Sequence, residues 1–194
     1  MEKENILRSD FILASAAQFT ISFVVFLLVP KIPIYLASFK AKEAEIGFLV
    51  GSLSVSSLVL RPFVGRALLK IPERRFMMTG AFLYVIAMVI LAFSSTLPMF
   101  ILVSFLWGAG NAFVFPCLLV YALERAGASR GPAMGTFTAV AGLGSGVGPM
   151  MMGVVLQNSS YVIMFLCLAL TGVINFLYFY RLTGELGGNR NANL

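Results

Sequence analysis

The chain has 194 residues, of which 59% are hydrophobic and only 11% are charged, whereas a soluble domain averages about 25% charged residues. Its mean hydropathy is +0.93, and its apolar runs are as long as the ~18 residues typical of a membrane-spanning helix, which excludes an ordinary soluble domain. The chain has no histidine and no cluster of acidic or thiol side chains at ligand spacing, so we expect no enzyme activity, no metal and no cofactor.

Six apolar segments are predicted to span the bilayer as helices. The first begins after Asp10 and is longer than the apolar core of a signal peptide, so we expect it to remain as a membrane helix. At about 1.5 Å per residue, each segment can cross a hydrocarbon layer about 30 Å thick. The fold class is therefore an all-α membrane protein with six transmembrane helices. The predicted spans are 11–36, 44–69, 76–93, 98–123, 132–156 and 161–180, with a cytoplasmic N-terminus at 1–10 and a polar tail at 182–194.

Several helix breakers and small residues lie within these segments. Pro30 and Pro33 are predicted to close the first helix, and Pro116 to interrupt the fourth. In lipid, neighbouring helices satisfy the backbone groups that a proline frees, and small residues let helices approach closely. The two cysteines, Cys117 and Cys167, lie in apolar runs and are interpreted as core side chains, not as a disulfide.

The distribution of Lys and Arg predicts the orientation of the chain. Of the 14 Lys and Arg residues, all but Lys31, Lys40 and Lys42 fall on the side of the two termini. Positive residues are retained in the cytoplasm, so both termini are expected there, in an inner (cell) membrane. Membrane topology thus accounts for the net charge of +6, and no nucleic-acid partner is expected.

A basic segment between the second and third helices resembles a loop signature of the major facilitator superfamily, Gly-x-Leu-Ala-Asp-Arg-x-Gly-Arg-Arg. Leu69 stands in place of the family's aspartate, and Pro72 in place of its second glycine. The resemblance implies a role in gating the cytoplasmic face, whereas the departures favour a simple positively charged anchor. The residues that carry the resemblance or belong to the basic cluster are Gly65, Arg66, Lys70, Arg74 and Arg75.

The fifth helix resembles the antiporter signature of the same family. Met152 replaces the first glycine of the final pair in that signature. The resemblance implies a flexible, tightly packed hinge associated with exporters, and a Gly-Pro step removes one backbone hydrogen bond. The residues that match the spacing are Gly135, Gly144, Gly148, Pro149 and Gly153.

The fourth helix carries a weaker resemblance. Trp107-Gly108-Ala109-Gly110 is similar to part of the family's Arg-x-x-Gln-Gly-x-Gly, but Ser104 replaces the arginine that is often linked to proton coupling. That role is therefore not transferred to this chain. The resemblance extends from Asp10 to Arg181 and implies one six-helix bundle, in the order of the family's amino-terminal half.

Polar residues within the helices are the candidate substrate contacts. The resemblance implies that the first and fourth helices line the central cavity, so Gln18 and Asn111 are the best candidates. Trp107, one turn from Asn111, would supply an aromatic wall. The alternative is that these amides hydrogen-bond between helices and only stabilise the bundle. The polar candidates are Gln18, Thr20, Ser54, Ser57, Asn111 and Asn175.

The sequence thus predicts half of a secondary transporter that moves a small, weakly polar or lipophilic molecule. Ionisable residues such as Arg61 lie near helix ends, which disfavours a strongly charged substrate. The expected partners are membrane lipids, the small-molecule substrate and a second six-helix bundle, preferably a second copy in a homodimer. The alternative is a non-transporting scaffold or anchor subunit with a degenerate form of the fold, which the departures at Leu69, Pro72 and Ser104 favour.

Overall fold

The computed structural model describes residues 2–125 and 130–182. These residues form six α-helices, and each predicted segment is helical. Apart from the start of the first helix, which lies nine residues earlier than predicted, the ends agree with the prediction to within three residues. The helices are α1 (Glu2–Ser38), α2 (Glu43–Ala67), α3 (Glu73–Phe93), α4 (Leu97–Arg125), α5 (Arg130–Asn158) and α6 (Tyr161–Arg181).

The prolines do not end or interrupt their helices, so that prediction was wrong. Pro30 and Pro33 lie inside α1, which continues to Ser38, and Pro116 lies inside an unbroken α4. Each proline removes one backbone donor, and a long helix packed among neighbours tolerates that loss. The chain leaves α1 through Lys40, whose left-handed backbone (φ 57°) follows the last helical turn.

Five of the described helices are long and apolar enough to cross a membrane. α5 is not among them, although its 29 residues exceed the length needed to cross about 30 Å of hydrocarbon. The helices therefore indicate a multi-pass membrane protein, and the sixth span stays a prediction. The five segments are Asp10–Ser38, Glu43–Ala67, Glu73–Phe93, Leu97–Glu124 and Tyr161–Arg181.

The helices pack mainly as four pairs: α1 with α5, α2 with α4, α3 with α4, and α3 with α6. Glycines allow the backbones in these pairs to approach closely. A Cβ atom added at Gly108 would collide with the Ser56 side chain of α2, and one at Gly172 would lie 2.5 Å from the Tyr84 ring of α3. Helices α1 and α4 also contact each other, so they connect the α5 side of the bundle with the α2 and α3 sides.

Two clusters of buried apolar side chains form the core. One surrounds Leu28 and Phe165, and the other surrounds Cys117 and Phe179. The interpretation of Cys117 as a core side chain is confirmed, because it is fully buried, whereas that of Cys167 was wrong, because it is exposed on α6. A helix in lipid is apolar on its outer face as well, so an apolar run does not indicate which of its residues face the core.

Candidate functional site

A groove that is open on one side lies between α1, α2 and α4. Its volume is about 460 Å³, within the range of about 300–1,000 Å³ that is usual for small-molecule sites. Its lining is mixed, with exposed apolar side chains beside hydroxyl, amide and guanidinium groups. The apolar lining includes Phe26, Leu58 and Phe115, and the polar lining consists of Ser22, Ser54, Ser57, Arg61 and Asn111.

The polar lining of α2 follows from helical periodicity. Ser54, Ser57, Leu58 and Arg61 are spaced at i, i+3, i+4 and i+7, which places them on one face of the helix. Ser57 is only 7% exposed, and its hydroxyl has no hydrogen-bond partner among the described residues. A buried polar group without a partner is costly, so a polar group that reaches this hydroxyl at the wall of the groove would lower that cost.

Asn111 lies where the groove meets a second, smaller cavity inside the bundle. The inner cavity is bounded by α1, α3, α4 and α6, and its volume of about 30 Å³ is enough for about one water molecule. Asn111 lines both spaces and is half-buried. Within the described part of the chain its amide makes no side-chain hydrogen bond, so both ends of the amide remain available.

The structure brings only two of the three predicted substrate contacts together. Trp107 and Asn111 both line the inner cavity, but Trp107 is 2% exposed and does not line the open groove. Gln18 is also 2% exposed and lines neither space; its Nε2 donates to the Ser22 hydroxyl at 3.2 Å. Gln18 therefore reaches the groove only through Ser22, and its role in binding stays a prediction.

One predicted polar pair forms an interhelical hydrogen bond. The Thr20 hydroxyl of α1 donates to Oδ1 of Asn175 on α6 at 2.7 Å. Asn175 is 4% exposed, so the bond is sheltered from the surroundings. Thr20 and Asn175 therefore act as the alternative interpretation expected, by forming a hydrogen bond between helices that stabilises the bundle.

The glycines of α5 divide between two faces of the helix. Added Cβ atoms at Gly144 and Gly148 would overlap the backbone carbonyls of Phe19 and Phe23 on α1, so these glycines permit the contact between α1 and α5. Pro149 lies inside the helix. At the other glycines of α5, an added Cβ would lie more than 4 Å from every described atom of a neighbouring helix. They are Gly131, Gly135, Gly142, Gly146 and Gly153.

Most of the chain matches a known protein family. The family model described as Major Facilitator Superfamily matches residues 14–193. The chain belongs to the Major Facilitator Superfamily. The members of this family are transporters, and the family that the sequence motifs implied is confirmed.

Two relatives within the superfamily show how much of a transporter the chain covers. An uncharacterized MFS-type transporter of Methanocaldococcus jannaschii is 27% identical over 174 residues, which are 89% of this chain and 45% of the relative. Multidrug resistance protein 2 of Bacillus subtilis is 23% identical over 124 residues, which are 63% of this chain and 31% of the relative. The chain thus spans less than half the length of the curated relatives it matches.

The loop signature of the superfamily contains one residue with a clear structural role in this chain. Arg74, at the start of α3, donates from Nε to the Phe179 carbonyl at 3.2 Å and from a terminal nitrogen to the Tyr180 carbonyl. Its guanidinium also lies over the Tyr180 ring, 5.2 Å from the centroid. Arg74 therefore satisfies carbonyls in the last turn of α6 and joins α3 to α6.

The other basic members of the loop, Arg66, Lys70 and Arg75, are exposed, and so is Gly65. Leu69, in the position of the family's aspartate, is 76% exposed. Their contribution to gating stays a prediction.

Sequence reasoning did not recognise Arg61 as a residue of the groove. It lies six residues before the end of α2, and nearness to a helix end suggested that it only reaches the membrane surface. The structure places it beside Phe115 of α4, with the guanidinium carbon 6.0 Å from the ring centroid. The spacing of Ser54, Ser57 and Arg61 along one helix face was the available signal.

Proposed function

We propose that the chain forms one half of a secondary transporter that moves a small, weakly polar or lipophilic molecule by alternating access. The observation that carries this proposal is the open groove between α1, α2 and α4 in a superfamily chain that covers 45% of a related transporter. A molecule in this groove would be enclosed only when a second six-helix bundle covers it. Rocking of two such bundles about the site would expose it to each side of the membrane in turn.

The proposal includes α5 as a sixth span and places both termini in the cytoplasm. An even number of spans puts the two termini on the same side, and the excess of Lys and Arg on that side favours the cytoplasm of an inner membrane. The length of α5 and its close contact with α1 support a span at this position.

The surfaces of α2 and α5 are suited to contact a second bundle. Among the described glycines, every one that faces open space lies on one of these two helices. Gly47 and Gly51 on α2 are one turn apart, as are Gly142 and Gly146 on α5, which is the spacing that favours close helix association in lipid. The glycines of α3, α4 and α6 are already used inside the bundle.

The preferred partner is a second copy of the chain, with a separate chain as the other source. The two halves of transporters of this type are related as parallel repeats, so one such bundle can in principle pair with a copy of itself. Crosslinking in native membranes tests the pairing. In a Cys167→Ser background, the Gly146→Cys variant is expected to form a disulfide-linked dimer on oxidation. The native chain is the matched control, because its Cys167 is exposed on α6, and it is expected to stay monomeric. Pairing through α5 would be refuted if the Gly146→Cys variant also stayed monomeric.

Transport is tested by flux of lipophilic fluorescent dyes into proteoliposomes. We expect Asn111→Ala to reduce flux, because its free amide lines the groove. Thr79→Ala is the control, because Thr79 is exposed on α3 and its hydroxyl, within the described part of the chain, donates only to the Arg75 carbonyl of its own helix. Flux that is unchanged by Asn111→Ala would remove the groove from the transport path.

The second candidate function is a membrane scaffold subunit that does not transport. The exposed Leu69 favours it, because an apolar residue in the place of the family's aspartate cannot form the ion pair of a cytoplasmic latch. Stable assembly with a partner in native membranes, together with no flux of any dye, would support this alternative over transport.

A further inference from the structure

We infer that the groove binds molecules that carry one negatively charged group on an apolar body, and that Arg61 is the residue that holds the charge. The inference rests on the proposed function in one respect, since it takes the groove as the substrate site, and it narrows the substrate class. It differs from the expectation, drawn from the sequence, that a strongly charged substrate is disfavoured.

Arg61 has no anionic partner among the described residues. Its guanidinium forms no ion pair there, and the group it contacts is the Phe115 ring. A guanidinium is always charged and presents several donors in a planar fork that matches a carboxylate or sulfonate. The aromatic ring stabilises the guanidinium but does not use its N–H donors. An anion from outside the chain can therefore accept hydrogen bonds from these donors and neutralise the charge.

The polar groups beside Arg61 suit the same ligand. The Ser57 hydroxyl, one helical turn from Arg61, is more than nine-tenths buried and has no partner in the described part of the chain. Asn111 offers a free amide across the groove, one turn from Phe115. A hydroxyl and an amide N–H can both donate to the oxygens of an anion, which would satisfy the groups that the bundle leaves unpaired.

Exposed apolar side chains in the groove suit the remainder of the ligand. Phe26 of α1 is 54% exposed and Leu58 of α2 is 68% exposed, and both line the groove beside Phe115. Apolar side chains around a few convergent polar groups are the usual composition of a small-molecule site. The arrangement fits an amphiphile whose anionic end meets Arg61 and whose apolar end contacts these side chains.

A matched pair of fluorescent probes tests the inference. Anilinonaphthalene sulfonate and phenylnaphthylamine share one aromatic framework, and only the first carries a negative charge. Trp107, the single tryptophan of the chain, lies one turn from Asn111 and can transfer excitation energy to either probe. Saturable energy transfer, measured with the full chain in nanodiscs of zwitterionic lipid, gives the affinity of each probe.

The expected result is that Arg61→Gln weakens binding of the sulfonate about tenfold and changes binding of the neutral probe less than twofold. Retained binding of the neutral probe shows that the variant is folded. Arg61→Lys keeps the charge and should retain most of the affinity for the sulfonate. Arg181→Gln removes an exposed charge at the end of α6, outside the groove, and should change neither probe.

Two results would overturn the inference. Equal effects of Arg61→Gln on the two probes, or no effect on either, would mean that Arg61 does not bind the anion. Displacement of the sulfonate by anionic lipid in the nanodiscs would also overturn the inference about the substrate, since a lipid headgroup, and not a transported molecule, would then occupy Arg61. If Arg61→Gln did not weaken sulfonate binding selectively but dye flux were intact, the anion site would be refuted and the transport proposal would stand. If the sulfonate bound selectively but no dye were transported, only the transport proposal would be refuted.

Discussion

Replacement of Gly144 by alanine should loosen the contact between α1 and α5, and replacement of Gly142 should not. The two residues are two positions apart on the same helix. An added Cβ at Gly144 would overlap the Phe19 carbonyl and lie 3.1 Å from the Phe23 nitrogen, whereas one at Gly142 would meet nothing within 4 Å. The comparison therefore isolates the packing of α5 on α1.

The magnitude follows from the geometry. Non-bonded carbon and oxygen atoms prefer separations of about 3.5 Å, so α1 and α5 must separate by on the order of 1 Å to admit the methyl group. Overpacking of this kind costs about 1–3 kcal/mol. Both variants gain a similar helix-propensity term of up to about 1 kcal/mol, which cancels in the comparison. We expect Gly144→Ala to be less stable than Gly142→Ala by about 1–3 kcal/mol.

The assay is unfolding by sodium dodecyl sulfate, followed by circular dichroism, in mixed micelles dilute enough to hold one chain each. One chain per micelle is needed because Gly142 and Gly146 also lie on the surface proposed to contact a second bundle. Gly144→Ala should unfold at a lower fraction of the denaturing detergent than Gly142→Ala. Gly148→Ala and Gly146→Ala form a second pair with the same expected order, since Gly148 faces Phe23 and Gly146 faces open space. Equal midpoints in both pairs, or the reverse order, would refute the packing of α1 against α5 through these glycines.

Three further predictions concern single contacts. Arg74→Ala should lower the unfolding free energy by about 1–2 kcal/mol in the same assay, because it removes charge-assisted hydrogen bonds to α6. Arg75 is exposed, so Arg75→Ala should change the unfolding free energy by less than about 0.5 kcal/mol. Equal effects of the two substitutions would contradict the contact between α3 and α6 through Arg74. Thr20→Val should lower it by about 1 kcal/mol by breaking the bond to α6, and no loss would argue against that bond. In detergent, Cys167 should react with a lipophilic maleimide while buried Cys117 reacts only after unfolding; fast labelling of both would contradict the observed burial.

Long uninterrupted apolar runs were enough to predict the helices of this chain. Their ends are marked by charge and by turn residues that are close in sequence, so five of the six starts could be located to within three residues. The predictions about Pro30, Pro33 and Pro116 failed because a proline disrupts a helix only when its neighbours do not compensate. That compensation depends on packing, which a local pattern does not contain.

The structure places only one of the three predicted substrate contacts at the open groove. Asn111 lines the groove, whereas Trp107 and Gln18 are buried away from it. In a soluble helix, polarity separates the inner face from the outer face. A helix in lipid is apolar on both faces, so its sequence carries little information about which residues face a neighbouring helix.

The superfamily, the helical class and the helix boundaries were thus accessible from the order of residues, because composition, motif spacing and apolar length are properties of the chain. The assignment of each face required the folded bundle. Gly142 and Gly144 are both glycines of the same motif-rich helix, yet one meets open space and the other meets α1. Arg61 belongs to the groove because α4 places Phe115 beside it, and a contact between two helices is set by their relative position.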